Sequence, residues 1–223
     1  MLQGHARRLS SGGMYNGRII ETDDCVLEGA AWLAEAEPRF AHALEVAGPL
    51  PLRRRPEGFG QLLQAIVSQQ VSVASARAIW GRLEQAGAVT PEAVGARSEE
   101  DLRALGLSWQ KASYAKALAE AGIDFDALRE MPDGEVVKRL VAVKGVGVWT
   151  AEIYAMFSLG RADVFAPGDL ALQEGARLLF DLPERPKERA LRGMAEAWSP
   201  WRSVAARALW AYYHVEKQRE GVL

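Results

Sequence analysis

Apolar residues recur every three to four positions along nearly the whole chain from Asp23 onward, which is the period of amphipathic helices. Val26, Leu27, Ala30, Trp32 and Leu33 mark a first helix, with Asp24 as its candidate cap. Pro38 suits the first turn of a second, which carries Phe40, Leu44 and Val46 and is closed by Gly48-Pro49-Leu50-Pro51. Leu62, Leu63, Ile66 and Val67 predict a helix from Gly60 to Gln70, and Ser72 caps a long one reaching to about Ala86. Thr90, Ser98, Ser108 and Asp133 each stand where a helix cap is expected, and Asp101 completes a capping box with Ser98. After Asp169 the pattern predicts helices over about 169–180, 187–197 and 200–217. No stretch alternates with period two, so the chain reads as all-α. Residues 1–20, rich in Gly, Ser and Arg, read as a flexible tail.

Residues 136–173 organise the rest. Val136, Val137, Leu140, Val141 and Val143 predict a short helix ending near Lys144. Gly145-Val146-Gly147 allows a tight reversal with positive φ, and Val148 to Leu159 reads as a second, buried helix stopped by Gly160. Such a hairpin offers backbone N–H groups at a helix N-terminus, a seat for an anion such as a DNA phosphate. A plain αα-hairpin explains the same spacing. The missing third glycine argues against a dinucleotide fingerprint. Pro167 and Gly168 stop any helix and Leu170-Ala171-Leu172 restarts one, so by pattern alone Asp169 is an N-cap.

Composition narrows the choices modestly. The chain has 223 residues and a net charge of −2, enough length for one domain or two lobes but no global basic signature. A local basic patch can still dock on a duplex. Leu52-Arg53-Arg54-Arg55-Pro56 reads as a solvated basic connector, with phosphate contact as the alternative. No run is long and uncharged enough to span a bilayer and no secretory signal is visible, so a cytoplasmic, nucleoid-associated location is the expectation. The single cysteine, Cys25, permits no internal disulfide and no four-cysteine iron–sulfur cluster. His5, His42 and His214 are scattered.

The stretch Val143-Lys144-Gly145-Val146-Gly147-Val148-Trp149-Thr150-Ala151, followed by Asp163-Val164-Phe165-Ala166-Pro167-Gly168-Asp169, closely resembles the helix-hairpin-helix plus Gly/Pro-Asp motif of the DNA glycosylase superfamily. Trp198-Ser199-Pro200-Trp201-Arg202-Ser203 and Ile66-Val67-Ser68-Gln69-Gln70-Val71-Ser72 look like its DNA-3-methyladenine glycosylase II (AlkA-type) branch, and Gly106-Leu107-Ser108-Trp109-Gln110-Lys111-Ala112 adds a weaker match. These segments lie in the family's order. The resemblance implies a two-lobed helical module over 21–223 without the extra N-terminal β domain of the AlkA-type enzymes. One lobe would span about 58–160. The other would combine 21–57 with 161–223, and Asp169 would lie on the rim of the cleft between them.

The same resemblance assigns roles. Asp169 becomes the carboxylate that stabilises an oxocarbenium-like sugar and orients or deprotonates the attacking water. Trp149 and Trp210 match base-pocket tryptophans, suited to stacking on a cationic alkylated purine such as 3-methyladenine. Ile153 and Leu170 stand where relatives can carry tyrosines, which makes the pocket less aromatic. Gln69 and Gln70 form the corner that enters the minor groove, Gln70 filling the gap left by the extruded nucleotide. Lys144, Gly145, Val146, Gly147 and Thr150 form the DNA-gripping hairpin. The carbonyls of Val141, Val143 and Val146 are the implied ligands of a monovalent cation, and no other cofactor is called for. Arg202 is expected in a structural ion pair. Bifunctional relatives carry a Schiff-base lysine where this chain has Trp149, so a monofunctional, monomeric glycosylase acting on damaged duplex DNA is the reading. A non-catalytic helix-hairpin-helix DNA-binding module, or a glycosylase for another damaged base, is the alternative.

Overall fold

The structure is a computed structural model, and it describes residues 17–220, with side chains through Gln218. Among these residues it is helical, with one isolated β-bridge and no strand. Helices α1 (Asp23–Ala36) and α2 (Pro38–Ala47) lead through an extended linker into α3 (Phe59–Ser68), α4 (Val73–Gln85), α5 (Pro91–Gly95), α6 (Glu99–Ala104), α7 (Trp109–Glu120), α8 (Ala127–Glu130), α9 (Asp133–Val141) and α10 (Val148–Phe157). Then come α11 (Leu170–Leu179), α12 (Glu188–Met194), a 3₁₀ turn (Ala195–Trp198) and α13 (Arg202–Glu220). No described helix is long and apolar enough to cross a membrane.

Many boundaries follow local chemistry. The side chains of Ser72, Thr90 and Ser108 accept N–H bonds from Ser75, Ala93 and Lys111, and Ser98 and Asp101 close a reciprocal capping box. Each such cap contributes ~1 kcal/mol. Two expected caps are corrected. Thr22, not Asp24, precedes α1, and its side chain makes no cap bond. Pro132 precedes α9, and Asp133 turns instead toward Arg161, whose Nε lies 3.6 Å from its carboxylate. Arg161 is fully buried and donates through Nη2 to the carbonyls of Leu128, Arg129 and Met131. It thereby ties the α8–α9 corner to the loop after α10.

Helices α3 to α10 pack around Leu62, Ile66, Leu83, Leu102, Leu118 and Leu140, while α1, α2 and α11 gather on α13. The buried face of α13 is alanine-rich, so neighbours approach closely: a Cβ on Gly175 of α11 would lie 2.6 Å from the Leu209 carbonyl. The linker after α2 runs between the two groups. The Arg55 N–H donates to the Phe157 carbonyl at 3.0 Å, and Arg207 of α13 reaches the Leu52 carbonyl at 2.9 Å. The expected flexible tail is corrected at its end, because Ile20 is fully buried, Ile19 bridges Arg161, and Ala162 donates to the Arg18 carbonyl. Residues 1–16 of that tail lie outside the described residues.

Candidate active site

Asp169 caps α11, as the pattern requires, but its carboxylate does more than cap. Oδ1 accepts the N–H groups of Ala171 at 2.9 Å and Leu172 at 3.0 Å. The same oxygen accepts the indole N–H of Trp210 at 3.1 Å, and Oδ2 accepts that of Trp149 at 3.0 Å. The Asp169 N–H donates to the Ala166 carbonyl, and Gln173 Nε2 donates to the Pro167 carbonyl, so the Pro-Gly-Asp loop is fixed from both sides. Four neutral N–H donors therefore aim the carboxylate, and among the described residues no cation pairs with it. Such a charge is free to act on a positive charge that forms beside it.

Trp149 is 47% exposed and forms part of the wall of a cavity of about 520 Å³. From α10 the cavity takes Trp149, Thr150, Ile153 and Tyr154, with Ser158 just beyond the helix. From α3 it takes Gln61, Leu62, Gln64, Ala65 and Ser68, then Gln69, and from the linker Arg54, Arg55 and Pro56. Its size falls in the ~300–1,000 Å³ range of small-molecule sites. The Tyr154 hydroxyl accepts the Gly58 N–H at 2.8 Å, and burial pushes it up to about 12. Ser158 Oγ is buried without a hydrogen-bond partner.

Two of the four residues expected in the base pocket, Trp210 and Leu170, lie off this cavity's wall. Trp210 does not line this cavity: it packs on Phe157 at 5.8 Å and holds Asp169 from behind. Leu170, 62% exposed, is the first residue of α11 and also lies off the cavity wall. Arg54, Arg55, Tyr154 and Ser158 also line the cavity, though no sequence pattern marks them for it: the arginines read as a solvated connector, and Tyr154 and Ser158 have no pattern to separate them from core positions.

The hairpin explains its own sequence. Gly145 has φ +93°, and a Cβ there would fall 2.3 Å from Tyr114 Cγ, so only glycine fits. Gly147 has φ −81°, so the positive φ of the reversal falls on Gly145 alone of the two glycines. It precedes α10 with no capping side chain, and the first intrahelical bond runs from the Ala151 N–H to the Gly147 carbonyl. The N–H groups of Val148, Trp149 and Thr150 therefore have no intrahelical partner. The Thr150 side chain is buried, so only its backbone belongs to this face. Val146 is buried and its N–H donates to the Val143 carbonyl. The exposed Lys144 reaches Ser113 Oγ at 3.1 Å.

The α3–α4 corner abuts this turn. Gln69 Nε2 donates to the Gly145 carbonyl at 3.0 Å, so Gln69 braces the hairpin rather than standing free. Gln70 is exposed at this corner with φ +54°. Between corner and hairpin lies a second groove of about 550 Å³, whose wall includes Gln69, Gln70, Lys111, Tyr114 and the Gly145–Gly147 turn. Lys111 donates to the Val67 carbonyl at 2.7 Å and burial pushes its ammonium down. Arg202 makes the expected ion pair, with Asp163 at 2.7 Å.

A family model described as "HhH-GPD superfamily base excision DNA repair protein" matches residues 63–202. The chain belongs to this superfamily. It is 33% identical over 165 residues to the Schizosaccharomyces pombe protein named DNA-3-methyladenine glycosylase 1, covering 70% of this chain and 72% of that one. Against Escherichia coli DNA-3-methyladenine glycosylase 2 it is 29% identical and spans 57% of that protein's length. A solved DNA-3-methyladenine glycosidase from Bacillus halodurans superposes with a TM-score of 0.79 at 34% identity, covering 90% of this chain and 94% of that one. The S. pombe 3-methyladenine DNA glycosylase in complex with abasic DNA gives 0.70 at 31% identity, covering 82% and 95%.

Proposed function

We propose that this protein is a monofunctional DNA glycosylase. It takes an alkylated purine, 3-methyladenine being the reference case, out of duplex DNA and hydrolyses its N-glycosidic bond to begin base excision repair. The observation that carries the reading is the Asp169 carboxylate, aimed by two indoles and two backbone N–H groups and left without a counter-ion beside the Trp149 cavity. Relatives named as 3-methyladenine glycosylases support it.

The duplex lies across the hairpin and the corner. A phosphate sits at the uncapped start of α10, where backbone N–H groups and the helix dipole face it. Gln70 enters the space vacated by the extruded base. The base stacks on Trp149 while its sugar stays near Asp169. As the bond between C1′ and the base weakens, positive charge grows on the sugar and the fixed carboxylate stabilises it. Water adds to C1′, with its proton drawn toward Asp169. A cationic base leaves as a neutral molecule, which is why a weak stacking pocket suffices for it. With an indole at position 149 and no amine there, the reaction stops at an abasic site.

No redox or covalent cofactor enters this chemistry. Val141 ends α9, where helix carbonyls point outward, and Val143 and Val146 supply neutral carbonyls nearby. That donor set, without a carboxylate, suits a monovalent cation, which would supply positive charge facing a phosphate. The protein acts as a monomer in the compartment that holds the DNA. The test is base release from methylated duplex DNA by the native protein and by Asp169→Asn. Release by the native protein alone supports the reading. Duplex binding with no release from either refutes it in favour of a non-catalytic binding module.

A further inference from the structure

The Asp169 carboxylate takes its donors from both groups of helices. Ala171 and Leu172 lie on α11, and Trp210 lies on α13, which packs against α11. Trp149 alone among the four donors rides on α10, which packs on α9 and α3. Its 3.0 Å bond to Oδ2 therefore crosses from one group to the other, and it holds only while α10 keeps its distance from the Pro-Gly-Asp loop. In the proposed reaction the base stacks on this indole while the sugar faces Asp169, so the same distance sets where C1′ comes to rest.

One turn along α10, Glu152 makes a second crossing. It is 3% exposed, and its Oε1 accepts Arg192 Nη2 of α12 at 2.9 Å. The same Nη2 donates to Glu188 Oε1 at 3.0 Å. Glu188 in turn stands against the loop before Asp169, since a Cβ on Gly168 would lie 3.5 Å from its Oε2. The contacts form a closed circuit. Gly168 leads along the chain to Asp169, Asp169 bonds Trp149, α10 leads from Trp149 to Glu152, and Arg192 returns through Glu188 to Gly168. Arg202 holds the same loop at Asp163, so it is pinned at two points. Bonds between a guanidinium and carboxylates are short and directional, and the planar fork gives up little freedom in forming them. The outer end of the bridge is half exposed, with Arg192 at 48% and Glu188 at 54%. Such a pair contributes little to global stability. What it fixes is a distance.

We infer that Arg192 is a positioning residue for the cleavage step: it latches α12 to α10 and, through Trp149 and Gly168, holds the Asp169 carboxylate in register with the bound sugar. This rests on the glycosylase reading above. Arg192 acts through Trp149 and the loop rather than on the substrate. An ion pair that only stabilises the fold would leave the rate of the folded enzyme unchanged, and a phosphate contact would change duplex affinity first.

The experiment is single-turnover release of 7-methylguanine from duplex DNA with enzyme saturating, alongside duplex affinity and thermal melting. Native protein is compared with Arg192→Gln, Arg192→Lys and Glu188→Ala. Arg192→Gln is also combined with Trp149→Phe, which keeps an aromatic ring and removes the indole N–H. Arg192→Gln should slow release about tenfold, short of the ~100-fold that a misplacement of about 1 Å costs, while duplex affinity stays within about threefold of native. Arg192→Lys, which still offers a cation to both carboxylates, should recover most of the rate. Glu188→Ala opens the bridge at its exposed end without stranding the buried Glu152, and should slow release severalfold with melting unchanged. With Trp149→Phe already present, Arg192→Gln should cost less than about threefold, because the bond it guards is gone. An equal loss with and without the indole N–H would overturn the inference, as would affinity falling in step with rate. So would native rates in both Arg192→Gln and Glu188→Ala. If Arg192→Gln fails to fold, Glu188→Ala decides alone. Native protein that releases no methylated base would overturn the glycosylase reading itself, and the inference with it.

Discussion

Asp169 holds two roles in one side chain, and substitution separates them. As a cap it accepts two backbone N–H bonds. Replacing a good cap by alanine costs ~1 kcal/mol, while serine caps about as well as aspartate. For a chain of this size ~1 kcal/mol corresponds to a melting shift of about 2–4 °C. As a charge it faces a sugar that becomes positive. A unit pair about 4 Å apart at an effective dielectric of about 20 interacts by ~4 kcal/mol, roughly a thousandfold in rate. Asp169→Ser should therefore melt within about 4 °C of the native protein and still lose about a thousandfold in release of methylated purines. Asp169→Asn should behave alike in rate. It also sets an amide N–H against one of the two indoles, and the exposure of Trp149 lets water take up that donor. Single-turnover release and thermal melting on the same preparations decide it. Activity of Asp169→Ser within threefold of native would refute the electrostatic role, and a loss matched by a collapse in melting would reduce Asp169 to its cap.

Other expectations follow from single contacts. Gly145→Ala, forced to φ +93° and into Tyr114, should cost ~1–3 kcal/mol and weaken duplex binding. Gly147→Ala, with φ −81° and open space around its Cβ, should leave melting nearly unchanged. Gly175→Ala places a methyl 2.6 Å from the Leu209 carbonyl and should destabilise by ~1–3 kcal/mol, read by denaturant unfolding. Burial raises the Glu152 carboxyl above its ordinary 4.5, against the opposing pull of Arg192. The folded state thus holds that proton more tightly than the unfolded state, and the stability it confers is lost as pH rises past 4.5 through the raised value. Melting of Glu152→Gln relative to native should accordingly improve from pH 4.5 upward, and a pH-independent difference would contradict it. Borohydride should trap no covalent complex with damaged DNA, because no lysine occupies the Trp149 position.

Period and punctuation determined much of this protein from sequence. The spacing of Leu62, Leu63, Ile66 and Val67, the serine and threonine caps, and the Gly-Val-Gly turn each act within one or two helical turns, so local chemistry sufficed to place them. The resemblance of two short segments then singled out Asp169 and Trp149. Asp133 shows where locality ends: it has the identity of a cap, but the buried Arg161 arrives from 28 residues later in the chain and takes its carboxylate. Trp210 and Asp169 are 41 residues apart and meet only because α11 packs on α13. The linker arginines carry the sharpest case. As a run of like charges they look solvated, and nothing near them in sequence says otherwise. Only the packing of α3 against α10, with the linker laid along the opening, puts Arg54 and Arg55 on a cavity wall, because a cavity is a property of distant elements meeting rather than of any segment's own pattern.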